Sequence, residues 1–524
     1  MACIVGIDLG TTNSLVARCE GVQPIVIPNA FGHTSTPSVV HFGPQGQLHI
    51  GHAAVPYCVL APESTIFGAK RFIGRKFNEV FDIAARMPYR VDIDENHLAT
   101  FELGERRHLP QVVSALVLRS LRHAAEVYFG TPVEKAVVTV PAYFTAVQRQ
   151  ATLEAGTMAG LEIVRLIEEP TAAAMAARID PADGSYVAVL DLGGGTFDVT
   201  LLEAARVDDE VQYEVLSISG DGFLGGDDFT ERLAQWLEET IEYESGGALA
   251  LDATVRNRFR DAAERAKLAL SDQSTVEIAL AHFPLKRGGT TALKTLVSRA
   301  LFEDLCSDLI DRLHAPIREV MRRGGIAVDE LAHVILVGGA SRMPCVARIA
   351  ETLLARRPTV PVNPFEAIAR GAAIQASVLE GNRKDVLLLN VTPHSLGIEL
   401  ADGTSRMIIR RDTTIPTKYG MSFRLATPTS KTVELRVLEG EGSLAHENRC
   451  LLGTHYDGIT SPEVVVTLDI DANHGLHVEL SEPGTGQTFK SIVHADTSLS
   501  ADKVCALTLT VESLWAASLV EQTP

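Results

Sequence analysis

Gly6-Ile7-Asp8-Leu9-Gly10-Thr11-Thr12-Asn13 follows the apolar run Cys3-Ile4-Val5 and precedes Ser14-Leu15-Val16-Ala17. Two apolar runs joined through Gly10 read as a tight hairpin, with an acid ending the first strand and Thr11, Thr12 and Asn13 at the tip. Backbone N–H groups, hydroxyls and an amide at such a tip can cradle an anion, and Asp8 beside them can hold a hydrated cation. Taken alone, the stretch is equally an ordinary glycine hairpin. The same order of strand, Asp-Leu-Gly, small polar tip and strand recurs in Val187-Ala188-Val189-Leu190-Asp191-Leu192-Gly193-Gly194-Gly195-Thr196-Phe197-Asp198-Val199-Thr200. Two such hairpins predict two related lobes that face one another. Together they would clamp a polyphosphate and Mg²⁺, with Asp8, Asp191 and Asp198 around the water shell of the metal. Neither stretch is a GxxxxGK[ST] P-loop or a GxGxxG opening a helix, which argues against a Rossmann cofactor.

At 524 residues the chain is too long for one core and predicts two to four domains. A formal net charge of −19 disfavours general binding to nucleic acid or anionic membrane, although a local cradle of N–H groups can still hold phosphate. No apolar run approaches the length of a membrane span, and Met1-Ala2-Cys3-Ile4 enters the first strand without a basic leader, so the cytoplasm is expected. The seven cysteines are scattered without a CxxC, which indicates neither a zinc site nor a disulfide framework.

Lys70 in Phe67-Gly68-Ala69-Lys70-Arg71-Phe72 can reach a γ-phosphate, though a solvated basic helix face reads as well. Residues 112–129 have a helical period. Val137 to Val140 form a buried-strand run ending at Pro141, and Thr145 with Gln148 reads as a capping box for a helix to about residue 160. After a strand at 164–167, Glu168-Glu169-Pro170-Thr171 introduces an Ala-rich helix over 172–177. That puts Glu169 where a carboxylate can orient water, or simply serve as a helix-entry acid. Gly222-Phe223-Leu224-Gly225-Gly226-Asp227 is a glycine turn before a helix at 229–241, and a further helix at 258–270 carries Glu264 and Lys267, by themselves a surface ion pair. Gly338-Gly339-Ala340-Ser341-Arg342 is a close-approach turn that suits a flat base or ribose lying on bare backbone.

GIDLGTTNS, VPAYF, EPTAAA, DLGGGTFDVT and VGGASRMP resemble, in order and spacing, the DnaK-type heat-shock seventy-kilodalton chaperones over nearly the whole chain to about residue 493. NSLVA, FDVTLLE and FLGGDDFT look most similar to the bacterial heat-shock-cognate C branch. The resemblance implies an α/β actin-like two-lobed ATPase (1–384, lobes meeting near 183/184), a linker (385–390), an all-β sandwich peptide-binding domain (391–497) and a short helical tail (498–524). It implies ATP or ADP, with Mg²⁺ and K⁺ as metals. Gly10, Thr11, Thr12, Asn13, Gly193, Gly194, Thr196, Gly225 and Gly226 would hold the phosphates. Asp8, Asp191 and Asp198 would serve the metal, and Lys70, Glu169, Thr196 and Asp198 the hydrolysis. Glu264, Lys267, Ser271, Gly338, Gly339 and Arg342 would line the adenosine. Phe365 stands where the family commonly has Asp near the base.

Asp385-Val386-Leu387-Leu388-Leu389-Asn390 reads locally as an edge strand. In the family the matching linker docks on the ATPase when ATP is bound, and it usually ends in Asp where this chain has Asn390. Glu168 likewise replaces an Asn beside the J-domain docking surface, while Arg165 and Thr171 are kept, which implies a specialised J-domain partner. From Thr392 the text is all β, with runs at 396–400, 407–409, 421–425, 432–438, 464–470 and 476–480. By resemblance Ile398, Ala401, Phe423, Ala426, Val433 and Leu435 would line a groove for an extended apolar peptide; without it they read as sandwich core. Only one amphipathic helix follows, with Val504, Leu507, Val511, Leu514 and Trp515 at helical spacing, in place of the family's helical lid. It is expected to pack on the sandwich or to mediate self-association. The implied partners are unfolded peptides, a J-domain co-chaperone and a nucleotide exchange factor. A small-molecule kinase or a nucleotide-dependent assembly protein of the same superfold explains only the first part of the chain.

Overall fold

The structure is a computed structural model. It describes residues 3–44, 46–104, 106–177, 179, 185–207, 210–359, 363–427, 431–483, 485–492 and 499–520, with backbone only for 492, 519 and 520. The expected lobe boundary near 183/184 and the sandwich boundary near 497/498 lie outside the described residues.

Strand Ile4–Asp8 is buried along its whole length, as its unbroken apolar run demands of a strand covered on both faces. It pairs antiparallel with Asn13–Glu20 through the quoted hairpin and parallel with Lys135–Val140. Ser185–Leu192 repeats the arrangement, antiparallel to Phe197–Val207 and parallel to Leu331–Val337. Each hairpin therefore sits at the same place in one of two six-stranded sheets. Parallel neighbours need a crossover, and helices Pro110–Phe129 and Ala146–Met158 lie in the connections of the first sheet. Thr145 caps the second of these helices in the expected box with Gln148.

Between the sheets run two helices rich in small residues, Glu169–Ala177 and Ala367–Leu379. A Cβ on Gly371 would overlap the Ala172 carbonyl, and one on Gly6 would overlap the Ala373 backbone. The first hairpin's strand is thus held at backbone contact with Ala367–Leu379, and that helix with Glu169–Ala177, a spacing that only glycine permits. The strand expected at 164–167 runs over Glu162–Glu168, and its helix begins at Glu169 rather than Ala172, so Glu169 is the helix's first residue.

Short or charged strands escaped the sequence reading. Residues 78–110 contain a three-stranded sheet of Arg90–Ile93, Ala99–Leu103 and Arg106–His108. The hairpin of Thr275–Pro284 and Thr290–Ser298 was also unread.

The C-terminal part is two four-stranded antiparallel sheets. They share a core that includes Ile398, Leu435, Val437, Val464, Val466 and Leu468. Strands Arg449–Asp457 and Thr488–Ile492 join those expected. The tail helix, Ala501–Val520, packs on Pro110–Phe129, Ala146–Met158 and Leu48–Ile50 of the α/β part, not on the sandwich. Val511 is fully buried there, with Leu507 and Leu514 against the same core, which corrects the expectation of sandwich packing. Among the described residues no helix is long and apolar enough to cross a membrane.

Candidate functional site

The two hairpin tips meet. A Cβ on Gly194 would strike the Thr12 hydroxyl, and one on Gly195 would lie 3.1 Å from the Thr11 methyl. Gly10 is closed over the Asn13 carbonyl, which leaves Thr12 and Asn13 exposed at the tip. In the second tip the Gly193 N–H donates to the Thr196 carbonyl at 3.1 Å. The Gly225-Gly226 turn lies against it: the Gly226 and Asp227 N–H groups donate to the Gly193 and Gly194 carbonyls at 2.9 and 2.8 Å. The glycine positions read from sequence thus form one surface of bare backbone, since a side chain on Gly194 or Gly225 would fill it.

Around this surface lie Asp8, Asp191, Asp198, Glu169 and Lys70, each less than a tenth exposed. The Lys70 ammonium pairs with the Glu169 carboxylate. Asp8 accepts from the Thr139 hydroxyl at 3.1 Å, and Asp198 from the Tyr143 N–H at 3.0 Å. Thr196 also hydrogen-bonds Asp198 through its side chain. Burial, then the charge of Glu169, pushes Asp8 and Asp198 up to about 7 and Asp191 well above the carboxylate range. Asp191 Oδ2 and Asp198 Oδ2 are buried without a hydrogen-bond partner. Four acids with one lysine, two of them carrying orphaned oxygens, have the chemistry to hold a divalent cation. Among the described residues no three His, Cys, Asp or Glu side chains are grouped so as to hold one ion directly.

The residues expected on the nucleoside side continue from the same turn. Lys267 Nζ donates to the Gly226 carbonyl and Thr230 hydroxyl, both at 2.8 Å, and pairs with Glu264 at 2.7 Å. Lys267 is not on the surface as its spacing alone suggested, because its ammonium is bound at the Gly226 turn and buried, while Glu264 stays partly exposed. Ser271 bonds the Lys267 carbonyl at 3.4 Å. Gly338, at φ +82°, abuts Asp191 and Leu192, and so ties this turn to the second hairpin. Arg342 pairs with Asp272 at 3.0 Å and lies 5.8 Å from the Phe365 ring centroid. The ring edge also stands 3.1 Å from where a Gly339 Cβ would be, so an apolar plate replaces a carboxylate at this rim.

Sequence reasoning missed Arg71, which is buried, packs on Gly195 and pairs with Asp228 at 2.9 Å across the two halves. Its position beside Lys70 was the available signal. Thr139 and Tyr143, next to the strand end at Val140 and Pro141, were likewise unassigned.

In the C-terminal part Ile398, Ala401, Phe423, Ala426, Val433 and Leu435 all line one cavity of about 760 Å³, joined by Leu425, Val464 and Val466. Ile398 and Leu435 are buried in the sandwich core, whereas Phe423 and Val433 are half-buried at the groove.

Strand Val386–Val391 connects the two parts. It pairs parallel with Glu210–Asp221, Val211 opposite Val386 through Glu214 opposite Leu389, and then antiparallel with Thr414–Ile415. Leu388 is buried on the α/β core, while Leu387 is exposed. Further contacts join the parts: Arg323 with Asp412 at 3.3 Å, Arg449 with Glu79, the Ala146 N–H with Glu439 at 3.1 Å, and the Tyr143 and His394 rings at 4.5 Å. Glu168, read as lying beside a partner-docking surface, is wholly buried here and faces the linker strand and the sandwich.

A family model described as Hsp70 protein matches residues 4–518. The chain is also 44% identical over 509 residues to a "Chaperone protein dnaK" of Cyanophora paradoxa, covering 96% of this chain and 82% of that one. Facing hairpins over buried acids, a strand that leads out of their sheet, and an apolar groove beyond it occur here in one chain matched almost end to end, and the chain belongs to the Hsp70 family of ATP-hydrolysing molecular chaperones.

Proposed function

We propose that ATP lies between the two hairpins and that its hydrolysis controls how tightly the sandwich groove holds an extended apolar peptide. The observation that carries this reading is the contact of Gly194 and Gly195 with Thr12 and Thr11, with Asp8, Asp191, Asp198, Glu169 and Lys70 buried around the junction. Thr11, Thr12, Gly193, Gly194 and the Gly225-Gly226 turn bind the phosphates through N–H groups and hydroxyls. A hydrated Mg²⁺ at Asp8, Asp191 and Asp198 supplies positive charge to the phosphate oxygens, and K⁺ is a further candidate for the same acidic pocket. Lys70 steadies the γ-phosphate, while Glu169, held by Lys70, orients the attacking water. Glu264, Lys267, Ser271, Gly338, Gly339 and Arg342 receive the nucleoside, with Phe365 as an apolar wall beside the base.

The peptide joins the groove by main-chain hydrogen bonds, with one side chain in the cavity. With Val386–Val391 docked, we assign the arrangement to the ATP-bound side of the cycle. Partners of this reading are unfolded peptides, a J-domain co-chaperone and an exchange factor, and its compartment is the cytoplasm. Apolar peptides are expected to stimulate ATP turnover and sugars to leave it unchanged; the reverse result would move the chain toward a small-molecule kinase.

A further inference from the structure

A cavity of about 280 Å³ lies where the tail helix Ala501–Val520 meets the α/β part. Trp515 and Ser518 line it from the tail, Ala124, Val127 and Tyr128 from helix Pro110–Phe129, and Phe31 from the loop before strand Thr36–Pro37. Phe31, Val127 and Tyr128 are 58%, 68% and 48% exposed, so apolar surface stands in water at this cavity. Among the described residues that line it there is no Asp, Glu, Lys or Arg. Three of its polar side chains bond within the chain. Asn29 donates to the Ser35 carbonyl and Thr36 hydroxyl at 3.0 and 3.1 Å, His52 Nε2 meets the Ser35 carbonyl at 3.0 Å, and the Ser518 hydroxyl donates to the Trp515 carbonyl at 2.7 Å. A charge brought here would lose its water and meet no counter-charge. Rings, by contrast, are met by rings: Phe31 pairs edge-on with His52 at 5.7 Å and Trp515 with His123 at 5.6 Å. A further ring extends such an array by offset or edge contact. A cavity of about 150 Å³ takes one benzene ring, so this larger volume suits two fused rings.

We propose that the cavity binds a small, uncharged fused-ring aromatic of the indole class, and that the bound ring holds the tail on the α/β part. Trp515 and Ser518 leave with the tail, so only the docked form offers the whole site. Binding and docking therefore strengthen each other to the same extent. The cavity shares no lining residue with the sandwich groove, and its ligand is neither nucleotide nor peptide.

Indole is the probe, titrated into the full-length protein and followed by calorimetry and by hydrogen exchange of the tail amides from Val504 to Ser518. Saturable binding is expected, and at ten times its Kd the tail amides exchange about elevenfold more slowly, since the opened form lacks the site. Ala124→Phe fills the cavity and is expected to abolish binding while the tail amides stay protected. Val511→Asp releases the tail and is expected to abolish binding with every lining residue intact. No saturable binding, binding retained in either variant, or binding that leaves tail exchange unchanged would overturn the proposal. Failure of indole to bind, together with a dimer that Phe31→Ser abolishes, would overturn it in favour of a second copy of the chain.

Discussion

Lys70 and Glu169 pair with each other beside Asp8 and Asp198. Groups placed there act on the γ-phosphate and water. Lys70→Ala or Glu169→Ala is therefore expected to lower single-turnover hydrolysis about 100-fold, with nucleotide affinity held within roughly threefold. Wild-type rates in either variant would remove that residue from the mechanism. Gly194 touches Thr12 and Gly195 touches Thr11, so Gly194→Arg or Thr11→Lys fills the space between the tips and is expected to abolish binding. Calorimetry showing retained affinity in a folded variant would refute the cradle. These residues were legible because each hairpin carries its own chemistry in a local string. Arg71 was not: its partner Asp228 is distant in sequence, and no local pattern announces a pairing that the meeting of two halves creates. The burial of Lys267 was hidden for the same reason, since the turn it bonds comes from elsewhere in the chain.

The linker strand is the element that joins chemistry to groove. Leu388 is buried on the α/β core, so Leu388→Asp places a charge there on docking and is expected to abolish the effect of ATP on peptide release. An ATP effect of normal size in that variant would show that docking is not the signal. Docking also buries two histidines. His474 faces Glu168, Arg149, Arg165 and Asn390, and His394 faces Tyr143, Glu439, Glu441 and Arg411. Burial, and for His474 also Arg149, lowers both below their usual value of about 6.5. Glu168 does not titrate in this range: burial would raise it, but Arg149 and His474 outweigh burial and hold it at about 2. The docked form thus favours neutral imidazoles. The stability they lend it is present above about pH 6.5 and declines as pH falls below that. Linker amides are expected to be better protected at pH 7.5 than at pH 5.5, and His394→Gln/His474→Gln to flatten the difference. Equal protection at both pH values in the parent protein would contradict this. Sequence reading found the linker as an edge strand from its apolar run. It could not see that the opposing edge belongs to Glu210–Asp221, because strand pairing across long separations leaves no mark in either strand alone.

At the scale of the whole molecule, the tail helix binds the α/β part, and among the described residues none of the tail lines the groove. Its amphipathic stripe was legible, but the surface it packs on was not. Truncating Val511, fully buried in that contact, is expected to cost the docked tail about 2 kcal/mol. The chain has two tryptophans, so in a Trp236→Phe background the fluorescence of Trp515, which lies 5.6 Å from the His123 ring, reports the release. An unchanged signal in Val511→Asp would place the tail elsewhere in solution. Peptide affinity is set by contacts in the cavity and by whether the linker is docked, and affinity differences appear mainly in the off-rate. The most direct test of the account is the dissociation of a fluorescent apolar peptide from the unmodified protein, followed with ADP and with ATP. Fast release with ADP that becomes faster with ATP is the expected result, and slow release at the same rate with either nucleotide would contradict coupling between the two parts.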